Sequence, residues 1–352
     1  MASSASGLHI FQDTGAPPGS SDYTTVVVIH GIVWHSAIFS KMVPLARSKN
    51  IRLVLVNRQD YPGGAPYNSA DRALLPAQAG SSRQTVPLPS ENAWVFMQHR
   101  ASTLNQLLVE LVLARGVTPA EPARNKGGIV LAGWSLGVAW ITALLTHGGS
   151  FQQNGVDLGQ YLRRVILYEG SSTVYGYPPS PDPNPQLSVQ EQDPLLWLSE
   201  YFAHGDTAAT LERHTPRGAP TPTLARMTPA EVRATVCAAQ TSPGGSDALL
   251  LHWGVRTGLF AALRRRALFP PARAAPPWPA LEVRVVWGDE SVWEVLDATH
   301  ALRAELADAA AKRAQTRPVT LARVRGANHF AHWDYPEQTL RVFLAAPNEV
   351  EA

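Results

Sequence analysis

The run Gly127-Gly128-Ile129-Val130-Leu131-Ala132-Gly133-Trp134-Ser135-Leu136-Gly137 decides the fold. Its apolar centre reads as a strand buried on both faces, as in a parallel sheet. It ends in Gly-Trp-Ser-Leu-Gly, and a helical pattern from Val138 to Leu145 follows at once. A G-x-S-x-G pattern between strand and helix is a nucleophile turn that lifts a serine out of the chain. The serine sits in a strained backbone conformation, and glycines two positions either side let strand and helix close around it. The start of the helix brings N–H groups and positive dipole to the place where an oxyanion would form. Ser135 is thus expected to be a nucleophile. A tight turn in which it only caps the helix is the plainer alternative.

Outward from this stretch, strands alternate with helices. Strands are expected at Leu8–Gln12, Thr24–Ile29, Ile51–Val56, Arg164–Tyr168, Leu281–Trp287 and Val319–Val324. Helices are expected at Ile38–Arg47, where Pro44 weakens the pattern, and at Glu91–Ala114, Leu296–Arg313 and Pro336–Leu344. Residues 65–90 have no periodicity and read as loop. This alternation predicts an α/β fold, a mostly parallel sheet with helices on both faces. Five prolines between Pro178 and Pro185 favour extended chain, and a second proline-rich linker covers Pro270 to Pro279. Between them lies a helical block, so the chain divides into core residues 1–170, an inserted helical lid at 171–277, and core residues 278–352.

A chain of 352 residues can bury about three quarters of its unfolded surface, enough for one large domain with an insertion. The net charge of +2 and the lack of a long basic block argue against nucleic acid as a partner. Arg264-Arg265-Arg266 reads as a solvated helix face. Cys237 is the only cysteine, which excludes an intrachain disulfide and a cysteine metal cluster. With no H-E-x-x-H and no glycine-rich dinucleotide loop after a strand, neither metal nor organic cofactor is expected. No apolar run approaches the ~20 residues that span a bilayer. There is no signal-peptide pattern and no Asn-x-Ser/Thr acceptor, so a cytoplasmic location is expected.

Four motifs, in this order, carry a resemblance to the α/β-hydrolase family: His30-Gly31, Asp60-Tyr61-Pro62-Gly63-Gly64, Gly133-Trp134-Ser135-Leu136-Gly137 and Gly326-Ala327-Asn328-His329-Phe330. The chain looks similar to uncharacterised fungal members with a lid after the sixth strand. The resemblance implies His329 as the catalytic base, ahead of His332 three residues on. An imidazole suits that role because it exchanges protons near neutral pH. The acid departs from the commonest pattern. Where many members carry aspartate, this chain reads Gly288-Asp289-Glu290-Ser291, with Ser291 at the expected place. Glu169 instead ends the sixth strand, similar to the placement in zearalenone-type lactonases and one subgroup of haloalkane dehalogenases. A carboxylate at that sheet edge faces the crevice where ligands bind, so Glu169 is the expected acid, with Asp289 or Glu290 as alternatives.

The resemblance also implies an oxyanion hole made by the N–H groups of Leu136 and Ile32. Each such donor is worth about 3 kcal/mol to the transition state. Aromatic residues crowd the motifs, and Trp34 and Trp134 are the expected substrate contacts in an apolar cleft. The combined expectation is a serine hydrolase for a hydrophobic ester or lactone. A lyase, cyclase or acyltransferase using the same three groups, or a ligand receptor on the same scaffold, are the alternatives.

Overall fold

A computed structural model describes residues 6–76, 90–151, 155–184, 193–271 and 275–350. Seven strands form one sheet: β1 (His9–Asp13), β2 (Thr24–Ile29), β3 (Ile51–Asn57), β4 (Ile129–Trp134), β5 (Leu162–Tyr168), β6 (Glu282–Gly288) and β7 (Val319–Val324). Their order is β1-β3-β2-β4-β5-β6-β7, with β1 antiparallel to β3 and every other pairing parallel. The central strands β2 and β4 carry no charged residue because both faces of the sheet are covered there. Alternate side chains sort to the two faces. Val27, Ile29, Leu131 and Val165 join one core cluster, and Val26, Val28, Val130 and Ile166 join the other.

Six longer helices flank the sheet: α1 (Ser90–Arg115), α2 (Gly137–His147), α3 (Ser246–Arg256), α4 (Leu259–Leu268), α5 (Trp293–Ala311) and α6 (Pro336–Leu344). The expected helix at Ile38–Arg47 is a 3-10 helix over Ser36–Leu45 with Pro44 inside it. Pro44 lacks the N–H that an α-helix needs at that point. The expected loop at 65–90 holds one short helix, Ser69–Ala73, and part of it lies outside the described residues. The α5 helix begins a turn earlier than periodicity suggests, after Val292.

The block at 171–277 is not uniform. Leu249, Leu250, Trp253, Phe260 and Leu263 of α3 and α4 share a core cluster with Leu131 and Ile141. These two helices therefore cover the sheet with α2. Arg264 is not the solvated residue its triplet suggested: it is 5% exposed, donates to the Tyr175 carbonyl at 2.6 Å and pairs with Glu305 at 3.0 Å. The preceding chain reaches the loops at the carboxyl end of the sheet. Thr235 and Cys237 bond to His35 and Val33, and Phe202 N–H donates to the Glu290 carbonyl at 3.0 Å. Asn328 donates to the Ser199 carbonyl at 2.6 Å and to Thr223 Oγ1 at 2.8 Å.

Candidate active site

Ser135 follows the last residue of β4 and has φ +53°, the left-handed region that a non-glycine residue enters only under constraint. Its N–H donates to the Tyr168 carbonyl at 2.8 Å, and its carbonyl accepts from Val138 at 3.0 Å, fixing the turn between β4 and α2. The flanking glycines are sterically required. A Cβ on Gly133 would strike the Gly137 carbonyl, and one on Gly137 would lie 2.8 Å from the Ile29 carbonyl oxygen. A Cβ on Gly31 would sit 2.8 Å from the Ser135 Cβ, so the loop after β2 passes directly beside the serine.

Trp134 and Tyr168 are register partners, so Ser135 and Glu169 emerge side by side from neighbouring strands. Glu169 is fully buried, with φ +56°. Gly288 N–H and the Ser291 hydroxyl (2.6 Å) donate to its carboxylate, and His329 Nδ1 lies 2.9 Å from the same Oε2 that Ser291 holds. The other two candidate acids face elsewhere. Asp289 accepts from Gly326 N–H at 2.6 Å, and Glu290 pairs with Arg217 at 2.5 Å. Ser291, which stands where aspartate was expected, donates to the acid instead.

His332 is fully buried among Trp134, Phe39 and Phe330, beside the Tyr168 hydroxyl at 3.2 Å. Burial, then the neighbouring His329, hold its pKa well below the usual histidine value. His30 is likewise held low, by burial and by Arg58. It donates from Nδ1 to the Gly31 carbonyl at 2.9 Å and accepts from Arg58 N–H at 3.0 Å. His147 is pulled down to about 4 by burial and Arg266.

These three histidines are neutral in the fold and would take up protons on unfolding below pH 6.5. Stability is thus fully present above that pH and falls as pH drops below it, for His147 down to about 4. Urea unfolding at stepped pH should show this slope from pH 6.5 downward. A midpoint flat across that window would contradict it.

The loop after β2 closes as a γ-turn: Trp34 N–H donates to the Ile32 carbonyl at 2.8 Å around Val33, whose φ is +70°. This is a strained state for a β-branched residue. The N–H groups of Ile32 and Leu136 donate to nothing among the described residues, and α2 has no side-chain cap at Leu136. Both donors are therefore free where Gly31 and Ser135 touch.

Sequence reading missed what holds that loop. Arg58, fully buried, donates to the Gly31 carbonyl at 2.7 Å and to both oxygens of Asp247 at 2.8 and 2.6 Å. The Tyr61 hydroxyl donates to Asp247 at 2.6 Å, and the guanidinium lies 4.2 Å over the Trp140 ring. Burial lowers the Arg58 pKa, but Asp247 and Tyr61 push it up further, so the guanidinium stays charged. Asp247→Asn removes one charge of a buried pair and should cost about 3–5 kcal/mol, read as a lower urea midpoint. A loss under 1 kcal/mol would contradict this account of the loop.

The two tryptophans expected to contact substrate are buried. Trp134 is 0% and Trp34 1% exposed, both in the aromatic layer beneath the histidine loop. Trp34 meets Phe330 at 4.9 Å and Trp134 at 6.0 Å, and Trp134 Nε1 donates to the His329 carbonyl at 3.1 Å. Their indoles support His329 from below. A further carboxyl not singled out in the sequence, Glu294, has a buried Oε2 without a partner. Burial raises its pKa, and His329 is among the groups that oppose the rise.

Among the described residues, no group of histidine, cysteine and carboxylate side chains could hold a metal ion, and no helix is long and apolar enough to cross a membrane. No curated protein matches the sequence. Among solved structures, a variant of the Vigna radiata epoxide hydrolase aligns with a TM-score of 0.52 at 10% identity, over 96% of this chain and 94% of that one. An esterase from Thermogutta terrifontis aligns at 0.44 and 13% identity, over 95% and 90%. The first of these supports a common fold and nothing finer. A family model described as the alpha/beta hydrolase family matches residues 26–342, nearly the whole chain. With the parallel sheet and the order of its motifs, this places the chain in the alpha/beta hydrolase family.

Proposed function

We propose that the protein is a serine hydrolase that cleaves an ester or lactone of a hydrophobic small molecule through an acyl-enzyme. The observation that carries this reading is the His329–Glu169 contact at 2.9 Å beside a serine held at φ +53°. In this reading the Ser135 hydroxyl attacks the substrate carbonyl while His329 Nε2 takes its proton. The tetrahedral oxyanion is held by the N–H groups of Ile32 and Leu136. His329 then returns the proton to the leaving alkoxide, giving the acyl-enzyme, and water repeats the sequence to release the acid. Glu169 fixes the histidine tautomer through Nδ1–H and stabilises the imidazolium. Gly288 and Ser291 keep the carboxylate aimed.

The described residues between Tyr177 and Gly245 act as the lid in this reading, and their bonds to the loops around Val33, Glu290 and Asn328 tie them to the site. The single free thiol, Cys237, suits a reducing compartment, and the reading puts the enzyme in the cytoplasm. The test is hydrolysis of p-nitrophenyl butyrate and of a resorcylic macrolactone such as zearalenone, with Ser135→Ala as blank. Serine-dependent turnover favouring the macrolactone identifies a lactonase, and turnover of the simple ester alone a carboxylesterase. Failure of both above the blank would overturn the reading.

A further inference from the structure

At the end of the sheet opposite Ser135, one carboxylate serves two guanidinium groups and a third is left over. Arg164 Nε donates to Glu282 Oε2 at 2.6 Å, and Arg284 Nη2 to Glu282 Oε1 at 2.7 Å. Their remaining N–H groups go to protein oxygens: Arg164 to the Phe343 carbonyl and Asn125, Arg284 to the Val342 and Ala345 carbonyls. Both oxygens of Glu282 are thereby occupied.

Arg163, next along β5, is 5% exposed, and its Nε and Nη1 have no hydrogen-bond partner. Glu282 acts on Arg163 only through space, without a hydrogen bond to Nε or Nη1. Burial and the adjacent Arg164 pull the Arg163 pKa down to about 10, which leaves it charged at neutral pH. A buried guanidinium with unmade hydrogen bonds is costly, and the group that completes it best is an oxyanion.

Arg163 lines a cleft of about 440 Å³ at the amino ends of β5, β6 and β7, a size common among small-molecule sites. Leu162, Trp278, Pro279, Leu281 and Pro318 form much of its wall. We infer that this cleft binds a small organic carboxylate, its oxyanion on Arg163 and its apolar body against Trp278 and Leu281. The site lies one strand length, about 20 Å, from the nucleophile turn, and it stands whether or not the catalytic reading does.

Isothermal titration with octanoate tests the inference, with inorganic phosphate as the head group alone and sodium chloride as the ionic-strength control. Saturable octanoate binding is expected, weakened at least about tenfold in Arg163→Gln, because charge-assisted hydrogen bonds are lost. Arg163→Gln orphans no partner and should fold. Arg163→Lys, which keeps the charge without the planar fork, should fall between the two. Phosphate should bind more weakly than octanoate. Octanoate bound equally by Arg163→Gln would put it in the catalytic cleft and overturn the inference. So would absence of saturable binding, or phosphate binding as tightly as octanoate.

Discussion

Ser135→Ala should lower kcat on a turned-over ester by about 10⁶ while leaving the melting temperature nearly unchanged. The expected loss is large because, in the proposed reading, the hydroxyl forms the acyl bond; without it the proposed oxyanion donors and histidine would assist water only poorly. The fold should tolerate the change. Alanine keeps the Cβ that Gly31 already accommodates, and the turn is held by backbone bonds from Ser135 N–H and to its carbonyl. Steady-state rates and a melting curve on the same preparation check both halves. A variant retaining a tenth of wild-type turnover would mean that Ser135 is not the nucleophile.

Glu169→Gln should cost about 10⁴ in kcat. An amide in this place can present an NH₂ to His329 Nδ1, which favours the wrong tautomer and leaves the imidazolium unsupported. It also sits among two other donors, Gly288 N–H and the Ser291 hydroxyl, which a carboxylate satisfies and an amide does so only in part. A stability loss of roughly 1–3 kcal/mol should therefore accompany the loss of rate. Asp289→Asn and Glu290→Gln serve as comparisons, since those side chains bond to Gly326 and Arg217. Their kcat should stay within about tenfold of wild type. If either fell as far as Glu169→Gln, the acid would have to be reassigned.

Much of this site was legible because it is local. The strand and the glycine spacing around Ser135 lie within a few residues of one another, where backbone sterics act, and Glu169 directly follows its own strand, β5. The displacement of aspartate by Ser291 was visible too, although its role as a donor to Glu169 needed the register of β5 against β6. What escaped is non-local. Arg58 and Asp247 are 189 residues apart, and no periodicity links them. The packing of α3 and α4 on α2 was hidden for a similar reason: their apolar faces match a lid as well as a core.

The burial of Trp134 is readable in the sequence. Trp134 shares its strand face with Val130 and Ala132, and a period of two sends it to the buried layer. The same alternation brings Trp134 Nε1 to the carbonyl of His329.

The most direct test of the central claim is the mass of the intact protein after rapid mixing with p-nitrophenyl butyrate and acid quench. The account predicts a single butyryl adduct, mapped by peptide fragmentation to Ser135, absent in Ser135→Ala and accumulating in Glu169→Gln if deacylation is slowed more than acylation. An adduct on another residue, or turnover with no dependence on the Ser135 hydroxyl, would contradict it.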